Sequence, residues 1–307
     1  MKRKWIALAV ALCLCLGFSA CSKRPAEGKK EKLSIVTSLF PQYDFARQVA
    51  GEFADISLLL APGAEAHTYD PTYKDIESIA NADIFLYTGE NMEPWAQTVL
   101  QSVGEKDSLT VLDLSEGIAM LKEEDGHDHA HESDPHIWLN LENAVTMIEK
   151  VTGALCEKSP ENADIFNANA EALKAEILEI DQAFLQTVQA AGEKTVVFGG
   201  RFAYRYFTER YGLHYKTVYD SCSTDVEPSA KTVADVTEYM KQNGIRYIYH
   251  EELADPKVAS SIAEATGAEL LEFSTGHNLS KSEFESGTTF ADIMRRNLLN
   301  LKKGLES

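Results

Sequence analysis

The chain has 307 residues, with 48 acidic residues against 29 basic ones, so its formal net charge at pH 7 is −19. An acidic surface repels phosphate backbones, which argues against a nucleic-acid partner and suits a protein that attracts cations. The length is enough for two domains of ordinary size.

The N-terminus has the composition of an export signal. Basic residues at positions 2–4 precede an apolar run from Trp5 to Phe18, and small residues follow up to Ala20. The run is too short to span a bilayer comfortably and is typical of a secretory signal peptide, which we expect at residues 1–20. Cys21 comes directly after the small residues and predicts a bacterial lipoprotein with the lipid on its sulfur. The alternative is cleavage after Ala20 and release of a free protein.

The segment after the leader is polar and lysine-rich, without apolar periodicity. We therefore expect residues 21–32 to be a flexible, lipid-anchored tether at the extracytoplasmic face of a bacterial cell membrane. Cys156 and Cys222 are the other cysteines outside the leader. They would either form a disulfide in an oxidising compartment or remain separate thiols, and the sequence leaves both open.

Short β-branched segments alternate with helical ones through both halves of the remaining chain. The strands predicted in the first half are Leu33–Thr37, Asp55–Leu60, Asp83–Thr88 and Leu109–Asp113, and the helices are Pro41–Ala50, Pro71–Asn81, Pro94–Val103 and Leu141–Glu157. The strands predicted in the second half are Thr195–Phe198, Tyr215–Tyr219, Tyr247–Tyr249 and Glu269–Phe273, and the helices are Tyr204–Tyr211, Ser229–Asn243, Lys257–Thr266 and Thr289–Lys302. Strands separated by helices indicate βαβ units, so each half is predicted to be a small parallel-sheet α/β domain.

One long helix is predicted between the two halves. Apolar residues recur at spacings of three and four from Phe166 to Val188, Ser159 and Pro160 suit the start, and Gly192 suits the end. A helix of about 30 residues at about 1.5 Å each would be about 45 Å long. That length would span both domains and hold them in a fixed relation.

The predicted architecture is thus two small α/β domains joined by a backbone helix, with a cleft between them. The N-terminal domain is expected at 33–158, the linking helix at 159–192 and the C-terminal domain at 193–307. Ligands of open α/β sheets bind beyond the carboxyl ends of the strands, so side chains that follow strands are the candidates for function.

Two histidines meet that condition. His67 follows the second predicted strand, and His136 lies in an Asp-Pro-His-Ile-Trp-Leu segment just before the helix predicted from Leu141. Neutral imidazole is a preferred ligand of zinc and of neighbouring transition metals. Taken alone, each residue would more readily be a hydrogen-bonded loop histidine than a ligand.

Several segments, in order along the chain, resemble one known family. They are Pro62–Pro71, Thr88–Trp95, Asp134–Leu139, Glu227–Ser229 and Gly287–Leu298. Together they resemble the zinc and manganese solute-binding lipoproteins of ABC importers, also called metal solute-binding protein family 9. The resemblance implies two α/β domains, a backbone helix, a monomer without enzymatic activity and delivery of metal to a membrane permease. It also implies that His67 and His136 are metal ligands.

The chain departs from that family's pattern at two ligand positions. Where the family has a histidine or glutamate opening a His-x-Ala-Phe-x-Tyr-Phe stretch, this chain has Arg201. Arginine has no lone pair to donate, so we expect it to turn away or to pair with a carboxylate such as Glu227. The family's last aspartate ligand is also missing, and we predict that His277 replaces it. The alternatives are a surface role for His277, with Glu251 or His250 as the next candidates for a ligand.

A histidine-rich loop is predicted at residues 125–134. His127, His129 and His131 alternate there with other residues, many of them acidic, and this composition predicts a loop that holds spare metal weakly near the cleft. The alternative is a solvated linker. Zinc-selective members of the family resemble this pattern, whereas manganese-selective members usually lack it.

The sequence therefore predicts an extracytoplasmic receptor for a divalent transition metal, most of all zinc. Three imidazoles completed by water or a carboxylate suit Zn²⁺, while Mn²⁺ prefers more oxygen ligands. The alternatives are a manganese or iron receptor of the same family and a metal-dependent adhesin. A zinc hydrolase would also use three histidines, but the chain lacks the Gly-x-Ser-x-Gly, zinc-protease, P-loop and dinucleotide motifs, so we expect no enzyme.

Overall fold

Two four-stranded parallel sheets form the framework of the computed structural model, which describes residues 32–121, 133–219 and 228–306. The first sheet has the order β2-β1-β3-β4 and the second the order β6-β5-β7-β8. The strands are β1 (Leu33–Thr37), β2 (Ala54–Leu58), β3 (Ile84–Tyr87), β4 (Thr110–Asp113), β5 (Thr195–Phe198), β6 (His214–Thr217), β7 (Tyr247–His250) and β8 (Glu269–Glu272). Every pairing is parallel, which confirms the predicted α/β class.

Helices connect the strands in the described ranges. They are α1 (Phe40–Ala50), α2 (Tyr73–Ala80), α3 (Ala96–Val103), α4 (Leu141–Lys158), α5 (Ala163–Ala190), α6 (Arg205–Tyr211), α7 (Ala230–Asn243), α8 (Lys257–Thr266), α9 (Lys281–Ser286) and α10 (Phe290–Leu305). None of these described helices combines the length and apolar character that crossing a lipid bilayer would require. The helix α9 was not predicted, because six residues opened by a Ser280–Glu283 capping box carry too little periodicity to be recognised.

The long helix α5 lies where the periodicity predicts it. All members of the predicted stripe are at most 4 % exposed: Phe166, Ala170, Leu173, Ile177, Ile180, Phe184 and Val188. Its ends differ from the prediction. Ser159 terminates α4 instead of capping α5, and a 3₁₀ turn at Pro160–Asn162 intervenes. The helix stops at Ala190, before Gly192, because the backbone N–H of Ala191 bonds to the carbonyl of Val188.

A continuous apolar core joins the two sheets through α5. Ile35 of β1, Phe184 of α5 and Phe198 of β5 belong to the same buried cluster. Smaller clusters cover the opposite faces, around Phe85 in the first sheet and Ile248 in the second. Both faces of the inner part of each sheet are thus buried, which explains why the inner strands β1, β3, β5 and β7 are short apolar runs, whereas the outer strands β2 and β6 alternate in burial.

The C-terminal helix α10 returns to the first half of the molecule. Its first backbone N–H, that of Phe290, donates to the buried carboxylate of Asp44 at 2.8 Å. The Phe290 ring also packs edge-on against Phe45, with ring centroids 5.3 Å apart. From Leu33 onward the chain forms one compact unit, so the division at 159–192 into two domains stays a proposal.

Candidate metal centre

Three histidines from distant parts of the sequence lie close together. His67 is on the loop after β2, His136 directly precedes the Ile137–Leu139 turn that leads into α4, and His277 follows β8. The ring centroids of His67 and His136 are 5.4 Å apart, and those of His67 and His277 are 6.2 Å apart. The structure therefore brings the three predicted ligands into one cluster, although their role as ligands stays a prediction.

His136 is held in one tautomer by its neighbour Asp134. The Asp134 Oδ1 atom lies 2.8 Å from Nδ1 of His136 and accepts its backbone N–H at 2.9 Å. A carboxylate only accepts, so Nδ1 carries the proton and Nε2 keeps its lone pair. Among the described residues, the buried Nε2 atom of His136 has no hydrogen-bond partner. Burying an unpaired acceptor costs about 1–3 kcal/mol, so this lone pair is suited to an ion.

His277 is oriented by a similar relay. The Thr275 hydroxyl donates to Glu252 Oε1 at 2.7 Å and contacts Nδ1 of His277, so it accepts the imidazole proton. This arrangement leaves the Nε2 lone pair of His277 available to a metal. Two groups of the first half also fix this segment: Trp138 Nε1 donates to the Thr275 carbonyl at 2.7 Å, and the Phe40 backbone N–H donates to the His277 carbonyl at 3.2 Å.

Asn278 ties the His277 segment to the loop that carries His67. Its fully buried side-chain amide donates to the carbonyls of Ala61 and Ala64, at 3.0 and 2.8 Å. The two segments therefore form a single hydrogen-bonded assembly, even though they come from opposite halves of the chain.

His67 and His277 favour their neutral forms. Burial, together with proximity to His136 and His277, lowers the pKa of His67 to about 3. Burial likewise lowers the pKa of His277. Neutral imidazole is the form that binds metal, so these two side chains need not lose a proton at neutral pH before an ion binds.

The donor atoms do not yet converge on one point. Within the described residues, no group of three or more histidine, cysteine and acidic side chains is arranged so that it could hold a metal ion. The rings are nevertheless near neighbours, so rotation of the imidazoles would bring their free nitrogens together. We expect His67 to move most, because the side chains of His136 and His277 are already fixed by hydrogen bonds.

A cavity of about 380 Å³ opens beside His67 and His277. Its opposite wall comes from the loops after β5 and β7, represented by Gly199–Arg201 and Glu251–Glu252. The order of the second sheet reverses between β5 and β7, and such a switch point is where open α/β sheets bind ligands. Glu251 packs closely on Gly200, and a Cβ there would lie 1.6 Å from Glu251 Oε2, so a larger residue at that position would displace the Glu251 carboxylate.

Arg201 pairs with a carboxylate, as predicted, and the described partner is Glu65. Arg201 Nη1 lies 2.9 Å from Glu65 Oε2, while Glu227 falls outside the described residues. Burial alone would raise the pKa of Glu65, but the hydrogen bonds from Arg201 and from the His67 backbone bring it below its ordinary value. The position that resembles the family's third ligand therefore holds an ion pair.

Other predicted residues have a different standing. Cys21, Cys222 and the histidines of the 125–134 loop at 127, 129 and 131 lie outside the described residues. Cys156 is half-buried and forms no disulfide within the described residues, and burial raises its pKa. Glu251, the alternative ligand, lines the same cavity as His67 and His277. His214, at the start of β6, is exposed.

Contributors to the site that were not predicted include Glu65, Asp134 and Asn278. For Asp134 a signal was available, because a carboxylate two residues before a histidine can hold the imidazole tautomer. For Glu65 and Asn278 the partners are far away in sequence, and no local pattern reveals them.

The chain matches a family model described as zinc-uptake complex component A, periplasmic (ZnuA), over residues 35–304. It is 33 % identical to the zinc-binding lipoprotein AdcA of Streptococcus pneumoniae over 309 residues, covering 98 % of this chain and 61 % of AdcA. It is also 33 % identical to the high-affinity zinc uptake system protein ZnuA of Bacillus subtilis, covering 99 % of both chains. The chain thus spans about three fifths of AdcA and nearly all of ZnuA.

Solved structures of similar proteins share the fold. The Zn(II)-bound ZnuA-like domain of Streptococcus pneumoniae AdcA superposes with a TM-score of 0.78 at 31 % identity, over 90 % of this chain and 100 % of that one. The metal-dependent lipoprotein YcdH of Bacillus subtilis gives 0.79 at 32 %, with the same coverage of each chain. The laminin-binding protein Lmb of Streptococcus agalactiae, bifunctional with adhesin and metal-transporting activity, gives 0.76 at 25 %, again over 90 % and 100 %.

Proposed function

Because the chain belongs to the family of the periplasmic zinc-uptake component A, we propose that it captures Zn²⁺ outside the cytoplasm and delivers it to an ABC importer. The names of its relatives support the choice of zinc, since AdcA is a zinc-binding lipoprotein and ZnuA a zinc-uptake protein. Both are transport-related binding proteins, which supports capture rather than catalysis. The cargo is the ion itself, and no bond is made or broken in it.

The observation that carries this proposal is the buried Nε2 atom of His136, which has no hydrogen-bond partner in the part of the chain that the structure describes. A polar atom that is buried without a partner needs an explanation, and an ion held between imidazoles provides one. The neighbouring rings of His67 and His277 supply two further nitrogen donors. In the proposed complex these three residues bind Zn²⁺, and water completes four-coordination.

The donor set also supports zinc over manganese. Imidazole nitrogen suits Zn²⁺, whereas Mn²⁺ is better served by carboxylate, carbonyl and water oxygens. The carboxylates nearest to the histidines are already engaged: Glu252 accepts from Thr275, Asp134 from His136 and Glu65 from Arg201. A site whose donors are three imidazole nitrogens therefore favours Zn²⁺ over Mn²⁺.

The location and partners follow from the same proposal. We infer an extracytoplasmic, membrane-attached protein, and AdcA being a lipoprotein supports lipidation at Cys21. The partner would be a membrane permease, and the protein would act as a monomer with N-terminal and C-terminal α/β domains at 33–158 and 193–307. The loop at 125–134 would collect zinc weakly through His127, His129 and His131.

The test is zinc binding by single alanine variants. Purified protein is stripped with a chelator, and zinc affinity is measured by competition with a chromophoric chelator. His67→Ala and His136→Ala should each weaken zinc binding by about 100-fold or more, since removing a ligand should exceed the 10–100-fold cost of removing a ligand's supporting partner. Elemental analysis should give one zinc per chain in the site.

Two further variants decide between the candidates for the third ligand. His277→Ala should weaken zinc strongly, whereas Glu251→Ala should leave the affinity nearly unchanged. The exposed His214 provides the control, because His214→Ala removes an imidazole outside the cluster. Unchanged zinc affinity in His67→Ala or His136→Ala would contradict the proposed site. If Glu251→Ala lost affinity strongly and His277→Ala did not, Glu251 would replace His277 as the third ligand.

A further inference from the structure

Glu65 carries a carboxylate at the edge of the histidine cluster formed by His67, His136 and His277. It lies two residues before His67, and its Oε1 atom accepts the backbone N–H of His67 at 3.2 Å. Glu65, His67 and His277 line the same cavity. A change of side-chain rotamer could therefore bring Glu65 to an ion held by His67, unless another group holds the carboxylate in place.

Arg201 is the group that holds it. Arg201 Nη1 donates to Glu65 Oε2 at 2.9 Å, and the two residues are 136 positions apart in sequence. The side chains are 31 % and 35 % exposed, so the pair is in contact with the solvent of the cavity. Pairs of this exposure contribute little to overall stability, about 0–1 kcal/mol. A role in global folding is therefore a poor explanation for Arg201.

The pair changes what the carboxylate can offer to a metal. The Oε1 and Oε2 atoms of Glu65 each accept a hydrogen bond, and the fixed positive charge of Arg201 offsets the negative charge. Zinc is satisfied by three imidazoles and a water molecule, but manganese requires additional oxygen ligands. Keeping the Glu65 carboxylate away from the ion therefore weakens Mn²⁺ binding more than Zn²⁺ binding.

We propose that Arg201 is a specificity-determining residue, which keeps the Glu65 carboxylate away from the ion and so favours Zn²⁺ over Mn²⁺. The inference rests on the proposed zinc capture and concerns how the same site rejects a competing cation. Arg201 acts through Glu65 and does not touch the metal.

The test compares the ratio of zinc to manganese affinity between variants. Arg201→Met keeps much of the side-chain length but removes the charge and the hydrogen bond. It should raise Mn²⁺ affinity relative to Zn²⁺ by about tenfold or more, a change that one added charged ligand can supply. The ratio is the readout because loss of a nearby positive charge alone would strengthen both divalent ions equally. Co²⁺ bound to Arg201→Met should also show weaker visible absorption than in the wild type, as coordination rises above four.

Two controls isolate the mechanism. Glu65→Gln alone should leave the metal preference close to that of the wild type, and Arg201→Met in the Glu65→Gln background should no longer shift it. Lys257→Met removes another cation that lines the cavity, with an 83 % exposed side chain, and should not change the ratio.

The possible outcomes are distinguishable. This inference would be overturned if Arg201→Met left the ratio of zinc to manganese affinity unchanged, or if it shifted the ratio equally in the Glu65→Gln background. Tight zinc binding by the wild type would still support the proposed function in either case. A wild-type protein that bound neither ion would overturn both.

Discussion

Asp134 and His136 are joined twice through one oxygen, because Asp134 Oδ1 accepts both the backbone N–H and the Nδ1–H of His136. Both side chains are almost completely buried. The carboxylate therefore determines which imidazole nitrogen carries the proton, and it leaves Nε2 as the free donor. This pair gives a direct way to test the site without removing any ligand.

Asp134→Asn should lower zinc affinity by about 10–100-fold. An amide of the same shape can present N–H instead of oxygen to Nδ1, which would move the imidazole proton to Nε2 and block the lone pair. The measurement is zinc competition at pH 7, with circular dichroism to verify the fold. Asp70→Asn is the control, since Asp70 is an exposed carboxylate on the loop of His67. Equal zinc affinity in Asp134→Asn and wild type would show that the tautomer is not held by this carboxylate.

Asn278→Asp should accelerate zinc release. The substitution preserves the shape and the oxygen that accepts the Leu279 N–H at 2.8 Å, but it removes the two bonds donated to Ala61 and Ala64. The His277 segment would then be less firmly attached to the loop of His67. Stopped-flow chelator capture should show a faster dissociation rate, with the fold kept. A dissociation rate equal to that of the wild type would mean that this contact does not hold the ligands together.

The metal-free protein should lose stability as the pH falls below 6.5. The pKa of His67 is lowered to about 3 and that of His277 is also lowered, chiefly by burial, from an ordinary value of 6.5. Below pH 6.5 the unfolded chain therefore binds protons that the folded chain does not, so the stabilisation is complete above 6.5 and is lost towards the folded-state pKa. Between pH 7 and 5.5 each histidine should account for about 1 kcal/mol or less.

Urea denaturation at the two pH values measures this effect. His67→Gln removes a titrating group, so the free energy of unfolding of this variant should fall less steeply with acidification than that of the wild type. A pH dependence in His67→Gln as steep as in the wild type would exclude His67 as a contributor.

Much of the fold could be predicted because its signals are local. The β-branched runs of β1 and β5 have the predicted bounds, and the apolar stripe of α5 from Phe166 to Val188 is buried as predicted. Both patterns depend on neighbours within one or two turns or strand residues, which periodicity captures. The helix ends were less predictable, as at Ser159, because competing hydrogen bonds of similar energy decide where a helix stops.

The site was predictable only in part. His67 and His136 stand in recognisable segments, and His277 was inferred from the ligand missing at its position. The Arg201–Glu65 pair and the Asn278 contacts depend on residues more than a hundred positions apart, brought together by the packing of the two sheets. No spacing within a single sequence indicates that residues so far apart will come into contact.

The position of the cavity predicts the route by which an ion would enter and leave. The segments of His67 and His277 are joined through Asn278, and the cavity opens beside the same two histidines, so we expect the ion to pass through the cavity. Arg201 lines this cavity together with the carboxylate of Glu65, so the pair presents a largely neutralised charge to a passing cation. The residue proposed to set the metal preference would thus stand on the route of the ion without adding a net positive charge to it.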